Sequence, residues 1–186
     1  MSRPNYPIRR YVEVLGIKSP KQTGTNGIKA AAMALGAMGY NDGMKKFQDE
    51  LQAFLNDVNK ESIKKDKVEI GTISDNIKKY LLENKVKAEA QTIFLSVRRL
   101  KHILRDSKQK AGKGIPEKHI SKLAVYLMNP THLIIDLHPK HKNIVYVYEE
   151  DNRHYKIVVS PINGEIITCG IFNLENMNMK EYTVIF

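Results

Sequence analysis

The sequence predicts an α+β fold, with helices packed on a four-stranded antiparallel sheet and a mostly helical region ahead of them. Three observations lead there. Much of residues 27–90, and again 97–128, repeats its apolar residues at helical spacing. From His132 onward β-branched and aromatic residues take over in runs of strand length. The links between those runs are too short for the crossovers that parallel strands need, so the neighbours are expected to be antiparallel. The division expected is a helical region over 1–90 and an α+β domain over 91–186.

Taken in order, residues 1–26 are broken by prolines and glycines and should be mostly irregular, with a short strand or helical turn at 11–15. Residues 27–38 are rich in alanine and methionine and read as a closely packed helix. Gly39 to Gly43 reads as a break. Residues 44–58 then set Phe47, Leu51, Phe54, Leu55 and Val58 on one helix face. Ser74 is placed to cap a shorter helix over 75–84 with Ile77, Leu81 and Leu82. Residues 97–110 and 117–128 are expected to be one helix each, the second ended by Asn129-Pro130. Strands follow at 132–137, 143–149, 154–160 and 165–170. The second is apolar on both faces (Ile144, Tyr146 and Tyr148 against Val145 and Val147), so it should lie at the centre of the sheet, covered by helices on at least one side.

Composition narrows the chemistry. The chain has 186 residues, 42% of them apolar and 27% charged, which suits a packed core. Cys169 is the single cysteine, so neither an internal disulfide framework nor a thiolate metal cluster is expected. No apolar run approaches the ~18 residues of a membrane span, and no secretory leader is apparent. The net charge is +10, and residues 98–122 hold nine basic residues against two acids, a local +7. A basic cluster of this kind points to a polyanion such as RNA, or to a solvated lysine-rich helix face.

On a helical projection of 97–109, His102 falls with Arg98, Lys101, Arg105 and Lys108 inside about a third of the circumference, opposite Val97, Leu100, Ile103 and Leu104. An imidazole among cations has its pKa lowered and stays partly neutral near pH 7, as a proton-transfer group requires. The cations beside it suit a phosphate and the charge that builds on it. A basic amphipathic helix that happens to contain a histidine is the bland alternative. The sequence His138-Pro139-Lys140-His141 near Asp136 can be drawn as a metal site but reads better as a hairpin turn. Gly112-Lys113-Gly114 lacks the spacing of a P-loop. No metal site and no cofactor is expected.

The run Leu100-Lys101-His102-Ile103-Leu104-Arg105-Asp106-Ser107-Lys108, followed by Gly112, Pro116 and Asn129-Pro130, resembles the opening of phage-associated nuclease domains of the Barnase/EndoU/colicin/RelE-like (BECR) group. Ile134-Ile135-Asp136, the apolar strand 144–148, the strand 156–159 and Ile166-Ile167-Thr168 continue the resemblance, which covers about 85 residues from Phe94 to Asn178. It implies a BECR-like fold and a metal-independent ribonuclease of the toxin type, carried by phages or mobile elements and cutting bacterial RNA, tRNA among the candidates. Carried over residue by residue, it implies a His-x-x-Arg-x-x-Lys set in His102, Arg105 and Lys108, with Thr168 on the last sheet strand. His102 would move a proton, Arg105 and Lys108 would hold the scissile phosphate, and Thr168 would donate to it. Arg98, Lys101, Lys110 and Lys113 would be flanking phosphate contacts. The RNA and the cytoplasm that contains it follow from the same resemblance, with delivery into a target cell as one route. An acidic inhibitor or immunity protein is expected from charge complementarity. A catalytically inactive nucleic-acid-binding protein, and a structural protein of a phage particle, are the other readings. Residues 1–90 match nothing in this resemblance.

Overall fold

The computed structural model describes residues 40–138, 140, 142–173 and 182–184. The helix expected at 27–38 and the element at 11–15 lie outside them. The first described element is the helix α1, Tyr40–Asn59, which begins inside the expected break and runs through Gly43. A first-turn glycine costs a helix only about 1 kcal/mol. That is less than the packing of α1 provides, because its apolar side, including Leu51 and Phe54, is buried.

Two unexpected strands follow, the first inside the stretch 27–90 that reads as helical and the second just beyond it. β1 (Lys67–Thr72) and β2 (Thr92–Ser96) form an antiparallel ribbon with an irregularity between Glu69 and Gly71. Val68 and Ile70 alternate with exposed Lys67 and Glu69, the period of a half-buried strand. The helix α2, Asp75–Glu83, connects them and is capped by Ser74, whose Oγ accepts from the Ile77 amide at 3.3 Å. This ribbon straddles residue 90. One buried cluster includes Leu51, Val68 and Ile77 before that point and Ile103, Tyr146 and Cys169 after it.

The stretch 97–110 is two helices, not one. α3 is Val97–Leu104 and α4 is Asp106–Lys110, separated at Arg105, whose backbone is extended (φ −54°, ψ 138°). The expected helix over 117–128 is likewise two short ones, α5 (Glu117–Ile120) and α6 (Leu123–Met128). Neither break has a glycine or proline at its centre, so composition gave no warning.

The sheet follows the sequence closely. β3 (His132–Asp136), β4 (Asn143–Glu150), β5 (Arg153–Val159) and β6 (Ile166–Ile171) form an antiparallel meander. A short fifth strand, β7 (Tyr182–Val184), pairs with β3, giving the order β6-β5-β4-β3-β7. β4 is central, as its two apolar faces required. On one face Tyr146, Tyr148, Tyr155, Ile157 and Cys169 join the main core under α5 and α6. The second face has its own smaller cluster of Ile134, Val145, Val147, Val158 and Phe172.

A polar group is buried on the helix side. His119 of α5 is fully buried against Tyr126, Tyr148 and Tyr155, and its Nδ1 lies 3.2 Å from the Tyr148 hydroxyl. Tyr126 stacks on Tyr148 with ring centroids 3.8 Å apart and donates to Glu150. Among the described residues no helix is long and apolar enough to cross a membrane.

Candidate active site

α3 is positioned by a carboxylate. Ser96 caps it, accepting from the Arg99 amide at 3.3 Å and donating to Glu165 Oε1 at 2.8 Å. Arg99 Nη2 donates to Glu165 Oε2 at 3.1 Å, and Arg98 Nη2 lies 3.6 Å from the same oxygen. Burial alone would raise the pKa of Glu165, but the hydrogen bonds from Arg99 and Ser96 and the charges of Arg99 and Arg98 outweigh it and hold the carboxyl below its usual range. Beside it, Gly164 has φ +75°, and a Cβ there would sit 1.9 Å from the Thr92 carbonyl oxygen. The turn between β5 and β6 can therefore dock on β2 only with glycine at that position.

With Leu100 and Ile103 buried, α3 leaves Arg98 and Lys101 exposed and His102 half-buried on its last turn. The His102 pKa is lowered by partial burial and then by the charges of Arg105, Lys108 and Arg99.

The break at Arg105 redirects the chain, and the single-helix projection fails beyond Leu104. Arg105 stays exposed, while its carbonyl starts α4 by accepting from the Lys108 amide at 3.0 Å. Lys108 turns toward the sheet edge, where Nζ donates to Thr168 Oγ1 at 2.6 Å and also to the Cys169 carbonyl. Burial lowers the Lys108 pKa, against a raising influence from Cys169, and the nearby charges of Arg105 and Lys156 lower it further. The loop after α4 lies on the same edge. Lys113 O accepts from the Ile171 amide at 3.4 Å, and a Cβ on Gly170 would come within 2.7 Å of that oxygen.

The structure thus brings Lys108 and Thr168 into contact and sets His102 and Arg105 within their electrostatic reach. It draws Arg98 toward Glu165. Lys101, Lys110 and the side chain of Lys113 remain exposed around the cluster.

Several polar residues were not legible as a group in the sequence. Thr168 pairs with Val158 in the ladder, so it shares the second sheet face, on which Lys156 and His154 follow along β5. Glu149 is directly opposite His154, with Oε2 3.8 Å from His154 Nε2. The rings of His132 and His154 lie with centroids 6.1 Å apart. Burial lowers the pKa of His132, the His154 charge adds to this, and Glu149 opposes it. Lys156 is lowered by burial against the pull of Asp136. The signal available beforehand was the alternation of His154 and Lys156 with apolar Tyr155 and Ile157, which puts both on one face.

Pro139 and His141 lie outside the described residues. His138 donates from its amide to Asp136 Oδ1 at 2.9 Å. Among the described residues, no group of three His, Cys, Asp or Glu side chains is arranged to hold a metal ion. Compared with protein-family models, with curated proteins and with solved structures, the chain gives no match.

Proposed function

We propose that the chain is a metal-independent endoribonuclease of the BECR-like, phage- or mobile-element-associated toxin type, cutting bacterial RNA with tRNA among its candidate substrates. The observation that carries this reading is the meeting of Lys108 with Thr168 beside a His102 whose pKa is depressed by partial burial and then by neighbouring cations. Arg105 and Lys108 hold the scissile phosphate and Thr168 donates to it. His102, neutral for much of the time near pH 7, takes the proton of the ribose 2′-hydroxyl. The 2′-oxygen attacks phosphorus, the bond to the 5′-oxygen breaks, and a cyclic phosphate remains. The exposed Lys101, Lys110 and Lys113, with Arg98, bind flanking phosphates. On this reading the protein acts in the cytoplasm that holds its RNA, and an acidic inhibitor would cover the basic surface.

A second reading, a nucleic-acid-binding protein without turnover, is favoured by one observation. The Lys108 ammonium is already engaged by Thr168 and the Cys169 carbonyl, as in a lysine that ties a loop to a sheet edge. Incubation of the protein with total bacterial RNA in EDTA, beside His102→Ala, separates the two. Cleavage by wild type, leaving cyclic phosphate ends and lost in the variant, is the outcome expected for the nuclease. Intact RNA despite salt-sensitive binding would favour the binding protein.

A further inference from the structure

We infer that Lys156 is a further phosphate-binding residue of the same site, facing Lys108 across Gly170, so that the scissile phosphate of an RNA sits between the two amines. This rests on the nuclease reading and adds a contact from the sheet to those of the basic helices.

The ladder between β5 and β6 fixes the place. Lys156 is directly opposite Gly170, and Val158 is directly opposite Thr168. These four positions make one square of the second sheet face, because residues two apart on a strand point the same way. The side chains of a directly opposed pair start about 5 Å apart. A Cβ on Gly170 would lie 3.7 Å from Lys108 Cε and 3.8 Å from its Nζ. The Lys108 amine therefore covers the position that faces Lys156 and lies within about 9 Å of the Lys156 Cβ. The same amine donates to Thr168 Oγ1 at 2.6 Å. Lys108 and Thr168 thus stand on the β6 side of the square, and Lys156 stands on the β5 side.

Charge supplies the second argument. The Lys156 side chain is half-buried, yet its ammonium makes no hydrogen bond and no ion pair with any described residue. It lies 5.4 Å from the centroid of the Phe172 ring. Asp136 acts on it from a distance and accepts from the His138 amide through Oδ1. Exposed Lys118 and Lys122, by contrast, each have a carboxylate partner. A cation drawn partly out of water without a carboxylate is unfavourable until an anion joins it. Two amines on neighbouring strands also repel, and a phosphate between them replaces that repulsion with attraction. The four-carbon stem lets the Lys156 ammonium swing toward Lys108 while its methylenes stay over Phe172.

The test uses the full chain and a short RNA whose cut linkage is mapped with wild type. Binding is then measured on that RNA made uncleavable by 2′-deoxyribose at the linkage, which carries either its phosphate or a neutral methylphosphonate. Lys156→Met keeps a chain of similar length over Phe172 and removes the charge. It is expected to cut about 10²-fold more slowly. Lys156→Arg, which keeps the charge, should recover most of that loss. Neutralising the linkage should weaken binding to wild type at least about threefold more than binding to Lys156→Met, because two changes that remove one contact do not add. Melting curves report folding, and Lys156→Gln replaces Lys156→Met if the latter does not fold. If the folded variant cuts as fast as wild type, or the two losses in binding simply add, the assignment is overturned. Lys156 then only packs on Phe172, and the nuclease reading stands. If wild type leaves the RNA intact, both are overturned.

Discussion

Lys108 is where the fold and the proposed chemistry meet, because the same ammonium closes the loop after α4 onto β6 and faces the cluster around His102. Replacing it separates those roles. Lys108→Ala should lower RNA cleavage about 10²-fold or more, since a charge aimed at a developing oxyanion is worth several kcal/mol in a partly desolvated site. Lys108→Arg should keep the charge but not the contact with Thr168 Oγ1. A nuclease assay beside a melting curve checks both, and full activity in Lys108→Ala would remove the lysine from the mechanism. Tyr146 offers a contrast. Its hydroxyl is buried on the core face without a partner among the described residues. Tyr146→Phe should therefore leave stability unchanged or raise it by up to about 1 kcal/mol in urea denaturation. His102 was legible as a candidate from its place among cations, whereas Thr168 entered only through family resemblance. The approach of His132 to His154 could not be read in advance, because it depends on the register of three strands together.

At the scale of elements, the strands of the meander were readable to within about a residue because β-branched alternation and short turns leave little freedom. The ribbon of β1 and β2 was missed although Val68 and Ile70 alternate correctly, because two helices surround it in the chain. The break between α3 and α4 was hidden for a different reason. Arginine is a good helix former, and only the docking of α4 on β6 makes an extended Arg105 favourable. Two substitutions probe these junctions. Gly164→Ala should destabilise the protein by about 2–4 kcal/mol, since the added methyl meets the Thr92 carbonyl and the positive φ is strained as well. Glu165→Ala should cost about 3 kcal/mol by leaving Arg99 without its carboxylate and Ser96 without its acceptor. Denaturation midpoints measure both, and a wild-type midpoint in either would show that α3 is held elsewhere.

For the molecule as a whole, charge and acidity give readable consequences. RNA binding should weaken steeply with salt, and Lys101→Ala or Lys110→Ala should each reduce the slope of log K against log salt by about 0.7. Stability should fall in acid in two stages. His119 is buried and its pKa is lowered chiefly by that burial, with Lys118 and Lys122 lowering it and Glu150 and Asp151 opposing. Its contribution is present above the unfolded value of about 6.5 and lost as pH falls below it. Glu165, also depressed, contributes above the ordinary carboxylate value of about 4.3 and loses that contribution as pH falls further. Urea midpoints at a series of pH values test this, and a flat profile between pH 7 and 5 would exclude His119. The +7 stretch was visible in the sequence, but its division between pairing and open surface was not, because Arg98 and Arg99 find their carboxylate more than sixty residues later.

The contact between Lys108 and Thr168 spans 60 positions of sequence and three intervening strands. During translation the basic segment leaves the ribosome well before β6 exists. On the nuclease reading, a half-made chain would carry the cations and His102 yet lack the surface that assembles them. The growing polypeptide would then be harmless to the ribosome and the tRNAs producing it, and its toxicity would begin only when the last strands of the meander are in place. A nascent chain stalled before residue 166 should accordingly leave cellular RNA whole, whereas one released after β6 should not.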